Sequence, residues 1–302
     1  MQNTSARSSA SPLSPLILGC LAATWLIWGS TYLAIRFALV GFAPFFMMGT
    51  RFLVAGGLLL GWMRWRGAAL PRPAEWRNAF IIGMLMLGGG MGGTAFAEQT
   101  IGSGVVVAFI AVTPLLMVIL TLAYRIRPRD GEILGVLVGL AGVLMLTQGT
   151  GFRSSTTGLI AMLVACSGWS LGSVLSQRQL PLAAGPMGFA SEMLCGGIVL
   201  LVLSALRGEP VDLGGPASAW LAWIYLTTFG SLVAFNAYMY LLGRASPGVA
   251  ASYTYVNPVI AMLLGVAVGG EHIAAWEWLS ALVILAGVVI LFLSRRRAAP
   301  GR

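Results

Sequence analysis

Lysine is missing from this 302-residue chain, and histidine occurs once, at His272. Charged side chains make up only 9% of the residues, against roughly 25% in a soluble domain, while 58% are hydrophobic and mean hydropathy is +0.89. That balance excludes a soluble domain and marks a polytopic membrane protein. The three cysteines, Cys20, Cys166 and Cys195, lie inside apolar runs with no CxxC or Cys/His clustering, so neither a disulfide framework nor a zinc site is expected. There is no HExxH, no GxSxG and no Ser/Lys or Asp pair at catalytic spacing. An intramembrane hydrolase or acyl transferase needs one such set, so the reading is not an enzyme, with no metal and no cofactor.

What the chain has is apolar length. A bilayer core about 30 Å thick takes on the order of 20 apolar residues per helix. Ten such runs are present, at roughly 16–38, 44–63, 78–97, 102–124, 132–149, 158–178, 186–206, 219–241, 247–268 and 275–294; they are numbered here as spans 1 to 10. Residues 1–15 read as a disordered cytoplasmic tail and 295–302 as a basic one. The first run is too long for a secretory h-region and reads as an uncleaved span.

The formal charge of +9 is carried by arginine in short loops, which makes it a topology signal rather than a nucleic-acid footprint. Arg36, Arg153 and Arg207 fall in loops on one side and Arg51 falls within span 2. The remaining fourteen, including Arg64, Arg66, Arg72, Arg77 and Arg295 to Arg297, fall on the side that holds both termini. Both termini are therefore expected in the cytoplasm, with the protein's surface in contact with the lipid bilayer.

The chain also repeats itself. Trp28 and Trp169, Pro44 and Pro186, Trp76 and Trp220, Pro114 and Pro258, Glu132 and Glu277, and LAGV at 140–143 and 285–288 pair in order at separations of 141 to 145. The expectation is an all-α fold of two five-helix repeats, 16–149 and 158–294. Because five is odd, the second copy enters the membrane from the opposite face, giving an inverted repeat with a site between the halves. That arrangement serves alternating access.

WGSTYLAIRFAL at 28–39, TRFLVAGGLLL in span 2, SGVVVAFIAVTPLLMVIL at 103–120 and its echo SPGVAASYTYVNPVIAMLLGVAVGGEHI at 246–273 carry a resemblance over nearly the whole chain. The pattern resembles the EamA-type branch of the drug/metabolite transporter superfamily, and within it the bacterial exporters of amino acids, particularly aromatic ones. The resemblance implies a carrier for small molecules. Relatives often have glutamate before the proline of span 9, where this chain has Asn257. A drug or other metabolite exporter of the same fold, and a non-saturable channel, are the alternatives. Facilitated diffusion and proton exchange are both open as energy sources. The expected unit is a functional monomer with amino acids as substrates and no nucleic-acid partner.

Candidate site residues follow from helix geometry. Pro114 and Pro258 each lie about twelve residues into their spans, about 17 Å deep, and each frees the carbonyl four residues earlier. Tyr253, Thr254 and Asn257 share a face of span 9, Asn236 and Tyr240 a face of span 8, and Trp28 and Tyr32 a face of span 1. With Trp169 of span 6 these are the expected substrate contacts. Arg51, Glu98 and Glu192 are the charges within spans, assigned to coupling or structure, with Glu98 at the outer mouth as a candidate solvated acid. Span 3 carries MLMLGGGMGGTAFAEQT, Met84 to Thr100. Its Gly90, Gly92 and Gly93 are expected to let a neighbouring helix approach and to bend as an outer gate, in one half only, because the stretch matched to them, LVAFNAY at 232–238, has no glycine.

Overall fold

The computed structural model describes residues 15–102, 106, 109–110, 112–113, 116, 119–120, 130–146, 155–244, 253–268 and 272–296. Within them the chain is helical, and the helices follow the apolar runs. Span 1 is Pro15–Ala38, span 2 Pro44–Trp65, span 5 Asp130–Leu146, span 6 Thr156–Arg178, span 7 Pro186–Leu206, span 9 Tyr253–Ala267 and span 10 Ala275–Arg296. Spans 3 and 8 are composite, as described below. Six of the helices are long and apolar enough to cross a membrane, Pro15–Ala38, Pro44–Trp65, Pro73–Ala97, Thr156–Ser176, Pro186–Leu206 and Ala217–Tyr238. Most of span 4, with Pro114, lies outside the described residues, as do residues 1–14 and 297–302.

Local chemistry sets the helix ends. Spans 2, 3 and 7 start on Pro44, Pro73 and Pro186, whose missing N–H would have been unsatisfied at that position. Spans 2 and 7 also end alike, on Gly67 at φ +86° and Gly208 at φ +64°. In each the next residue closes back on the helix, Ala68 N to Met63 O at 3.0 Å and Glu209 N to Ser204 O at 3.0 Å. Only glycine takes that left-handed turn without strain. Ser155 caps span 6 by accepting from Gly158 N at 2.9 Å, and Glu277 reaches back to Ala274 N at 2.7 Å to cap span 10.

Large apolar side chains such as Leu26, Leu58, Ile160, Val202 and Leu282 stand exposed on the outside. Between helices, lipid offers no hydrophobic drive to associate, so close backbone contact and hydrogen bonds hold the bundle. Glycines supply the close contact. A Cβ added at Gly49 would stand 3.1 Å from Gly197 O and 2.7 Å from Leu201. One at Gly56 would stand 3.0 Å from Ala190 O and from Leu194 N. Rising numbers on span 2 meet falling numbers on span 7, so the two helices run antiparallel. Spans 5 and 10 do the same, Gly142 against Ser280 and Ile284, and Gly287 against Gly135 and Gly139. Span 1 packs on spans 8 and 9, span 6 on span 3, and span 7 on span 3.

Spans 3 and 8 share a departure from the α-helix. Span 3 runs as Pro73–Gly83, a π-helical stretch Met84–Gly92 and a last turn Gly93–Ala97. Span 8 runs as Ala217–Tyr225, a π-helical stretch Leu226–Val233 and Ala234–Arg244. The two stretches begin 142 residues apart, within the range of the sequence repeat. The wide turn is therefore present in both halves, the second at 226–233 with Gly230 and Ser231.

Candidate functional site

Span 1 points Trp28 inward, 9% exposed, and its indole nitrogen donates to Gly230 O at 3.2 Å. Against that ring pack Tyr253 of span 9, centroid 4.7 Å away and edge-on, and Tyr238 of span 8 at 5.3 Å. The two tyrosines lie 5.5 Å apart at 85°. Trp169 of span 6 and Phe189 of span 7 complete the group. Five spans thus converge on one aromatic cluster that includes the repeat-related pair Trp28 and Trp169. Edge-to-face rings of this kind offer both a π face and a positive edge to a neighbour.

Asn257 is 3% exposed and faces the carbonyls of Trp25 and Tyr253, 3.1 Å from each, so its amide nitrogen occupies that end and donates to both. Both donors being engaged, its carbonyl oxygen is what remains for another group. Next to it span 1 comes close, since a Cβ at Gly29 would stand 2.8 Å from Ile260 and 3.6 Å from Asn257 Cα. In the other half, Ser170 Oγ donates to Thr113 O at 3.2 Å, so the residues preceding both prolines touch the first helix of the opposite repeat. The helix Tyr253–Ala267 continues through Pro258; the side chains of Pro258 and Thr254 lie outside the described residues.

Arg51 is 1% exposed. Its Nε donates to Ser231 Oγ at 2.9 Å, its Nη1 lies 3.5 Å from Met48 Sδ, and its guanidinium covers Phe52 with Cζ 4.8 Å from the ring centroid. Ser231 in turn donates to Leu226 O at 3.2 Å, five residues back, as the π turn requires. A Cβ at Gly230 would stand 3.0 Å from Arg51 Nη2. The π stretch of span 8 therefore serves Trp28 with a carbonyl and Arg51 with a hydroxyl.

Other expected residues are placed differently. Asn236 is exposed and donates to Leu232 O on its own helix at 2.6 Å, and Tyr240 is half-buried outside the cluster. Tyr238 holds the position that sequence reasoning gave to Tyr240. Tyr32 packs on a second apolar group around Phe109, Met162 and Cys166, within electrostatic reach of Glu98 and Arg51. Glu98 is 6% exposed, so it is a buried group at the end of span 3 and not a solvated loop acid. Glu192 of span 7 is 3% exposed, at the repeat position of Arg51.

The glycines of span 3 touch three helices. An added Cβ would stand 3.1 Å from Val199 at Gly88, 3.2 Å from Trp169 at Gly90, 2.6 Å from Leu200 and 3.2 Å from Phe45 at Gly92, and 3.0 Å from Ala161 O at Gly93. At Gly89 it would meet only its own helix, 3.8 Å from Met84 O. Toward the arginine-poor end, Arg207 Cζ lies 4.8 Å from the Phe96 ring, which stacks on Phe45 at 5.9 Å, and Glu209 accepts from Phe45 N at 3.3 Å and Phe46 N at 2.9 Å. Phe42, Phe46, Thr50, Leu213, Trp220 and Trp223 line a separate cavity of about 140 Å³ at that end. Among the described residues no group of His, Cys, Asp and Glu side chains is arranged to hold a metal.

Comparison with known proteins places this sequence among transporters. The model of the EamA-like transporter family matches residues 13–148 and again 156–293. The chain is 41% identical over 280 residues to the uncharacterized inner membrane transporter YedA of Escherichia coli (strain K12), covering 92% of this chain and 91% of that one. It is 26% identical over 319 residues to the uncharacterized transporter sll0355 of Synechocystis (96% and 91% covered). Identity to Protein PecM of Dickeya dadantii is 24% over 283 residues (91% and 93% covered). One crystal structure superposes with a TM-score of 0.65 at 22% identity, covering 94% of this chain and 99% of that chain, a likeness of fold.

Proposed function

Since the chain belongs to the EamA-like transporter family, we propose that it is an inner-membrane alternating-access carrier that exports small metabolites, amino acids including aromatic ones among them. The observation that carries the substrate class is the convergence of Trp28, Trp169, Phe189, Tyr238 and Tyr253 from five helices. An aromatic side chain exchanges ring contacts with such a cluster at little cost, because edge and face geometry is retained. The Asn257 carbonyl oxygen accepts from the substrate ammonium, and freed backbone groups near the two prolines serve its polar end.

Two successive family matches support a ten-helix, two-repeat architecture. The antiparallel contact of span 2 with span 7 and of span 5 with span 10 supports an inverted relation between the repeats, since a helix antiparallel to its own repeat counterpart is what inversion produces. Matched π stretches in spans 3 and 8 add to this, and each half then rocks against the other about the aromatic group.

Purified protein in liposomes, loaded in turn with tryptophan, phenylalanine, tyrosine, leucine, a cationic drug and a sugar, tests the reading. Saturable, stereoselective flux of the aromatic amino acids is the expected result. Flux of the drug alone moves the substrate class to the first alternative, linear and non-selective flux makes the protein a channel, and no flux of any compound removes the carrier reading.

A further inference from the structure

Arg51 and Glu192 hold the same place in the two repeats and are treated differently by their surroundings. Arg51 is met by the Ser231 hydroxyl, the Met48 sulfur and the Phe52 ring. Glu192 is equally buried, yet among the described residues nothing donates to its Oε2. A structural acid in a bundle core is normally tied to a donor. This one is left open in one half while its counterpart is satisfied in the other.

Its surroundings are largely apolar. Span 3 brings Ile82, Gly83 and Leu87, and a Cβ at Gly83 would stand 2.8 Å from Glu192 O. Span 2 brings Gly56 and one charge, Arg51; from the pairing of Gly49 with Gly197 and of Gly56 with Leu194, Glu192 lies opposite Gly56, so Arg51 is about five residues, or about 7.5 Å, from it along the helix axis. Span 7 itself adds only the Cys195 thiol. A charge on a carboxyl placed among such groups costs several kcal/mol unless donors or water compensate it. Water reaching the same carboxyl removes that cost.

The site is also placed to feel the transport motion. Gly83 is the last α-helical residue before the π stretch Met84–Gly92. Any change of pitch in that stretch shifts the span 3 surface that seals Glu192. We propose that Glu192 is the proton-binding residue of the carrier, releasing its proton to the cytoplasm in one state and taking one from the outside in the other, so that export is coupled to proton entry. No covalent step is involved: one proton moves inward per cycle and the substrate moves outward. This rests on the carrier reading above and supplies its energy source.

Two measurements on the intact protein in liposomes test it. Infrared titration reads the protonated-carboxyl stretch without any substrate; the expected result is a band that vanishes in Glu192→Gln and titrates at a different pH in Glu192→Asp. The second is the steady-state tryptophan ratio with and without a pH gradient, at clamped membrane potential. With one proton per substrate, a gradient of about one unit sustains up to about a tenfold ratio, and Glu192→Gln brings the ratio back to about one whatever its absolute rate. A band that persists in Glu192→Gln, a wild-type ratio insensitive to the gradient, or a Glu192→Gln ratio that still follows it overturns the proposal. If no amino acid moves at all, the substrate reading falls and the infrared band decides the proton site alone.

Discussion

Trp28 and Gly230, 202 positions apart, are joined by an indole-to-carbonyl hydrogen bond of 3.2 Å that ties the first helix of one half to the π stretch of the other. The carbonyl is available because the wide turn offsets the helical bonds there, and the same turn presents Ser231 to Arg51. One local irregularity therefore fixes an aromatic contact and a buried cation together.

Replacing Trp28 separates these roles. Trp28→Phe keeps a ring against Tyr238 and Tyr253 but leaves the buried Gly230 carbonyl without its donor, at a cost of about 1 to 3 kcal/mol. Thermal unfolding in detergent should show that loss, with the KM for tryptophan changed less than in Trp28→Leu. Equal KM values in Trp28→Leu and wild type would remove the ring from the binding surface.

The span 3 glycines should rank by what a methyl would meet. Gly89→Ala meets no other helix and gains up to about 1 kcal/mol of helix propensity. Gly93→Ala presses on Ala161 O, and Gly83→Ala on the Glu192 carbonyl and Gly196 N, so both should destabilise by about 1 to 3 kcal/mol. A leucine at Gly90, Gly92 or Gly93 should lower transport and shift cysteine accessibility toward the outward-open state. Lower stability with unchanged accessibility would make these plain packing positions.

Asn257→Asp and Asn257→Leu distinguish a donor from a spacer. The aspartate turns an acceptor toward the Trp25 and Tyr253 carbonyls, whereas leucine only deletes two bonds. Asp should therefore be the less stable of the two by melting temperature, and both should lose transport by more than their surface level falls. Wild-type transport by Asn257→Leu would exclude the amide from the substrate path.

Glu209 caps span 2 from the far loop, in a place where Ala43 has no side chain to do so. Glu209→Ala should cost about 1 kcal/mol and Glu209→Gln less, because the amide oxygen still accepts. Hydrogen exchange at Phe45 and Phe46 reads the effect directly. Unchanged protection there would show the cap to be idle.

Orientation is tested by labelling. In a cysteine-free background Arg153→Cys should react with an impermeant maleimide on intact cells. Reaction only after permeabilisation would put both termini outside.

Helix positions were largely legible as apolar runs, although span 3 starts at Pro73, five residues before the run at 78. The site was legible as aromatic and as bridging the halves, but its phase in span 8 was not. A π stretch holds one residue more than an ideal 3.6-residue helix and turns everything after it by about 100°. That rotation puts Ala234 and Tyr238 where Trp28 can reach them and leaves Asn236 bonding to its own backbone. The choice between a solvated and a buried Glu98 was not legible for another reason: its burial by spans packed from elsewhere in the chain leaves no local pattern.

The paired wide turns carry a consequence for the gene. A one-residue deletion in an ordinary transmembrane helix swings every later side chain to a new face and wrecks the bundle. Removing one residue from 84–92 or 226–233 instead lets the stretch wind back into an α-helix while its flanks keep their partners. These two short segments are the spare length of the protein, the places where its reading frame can lose a codon and still encode a membrane bundle.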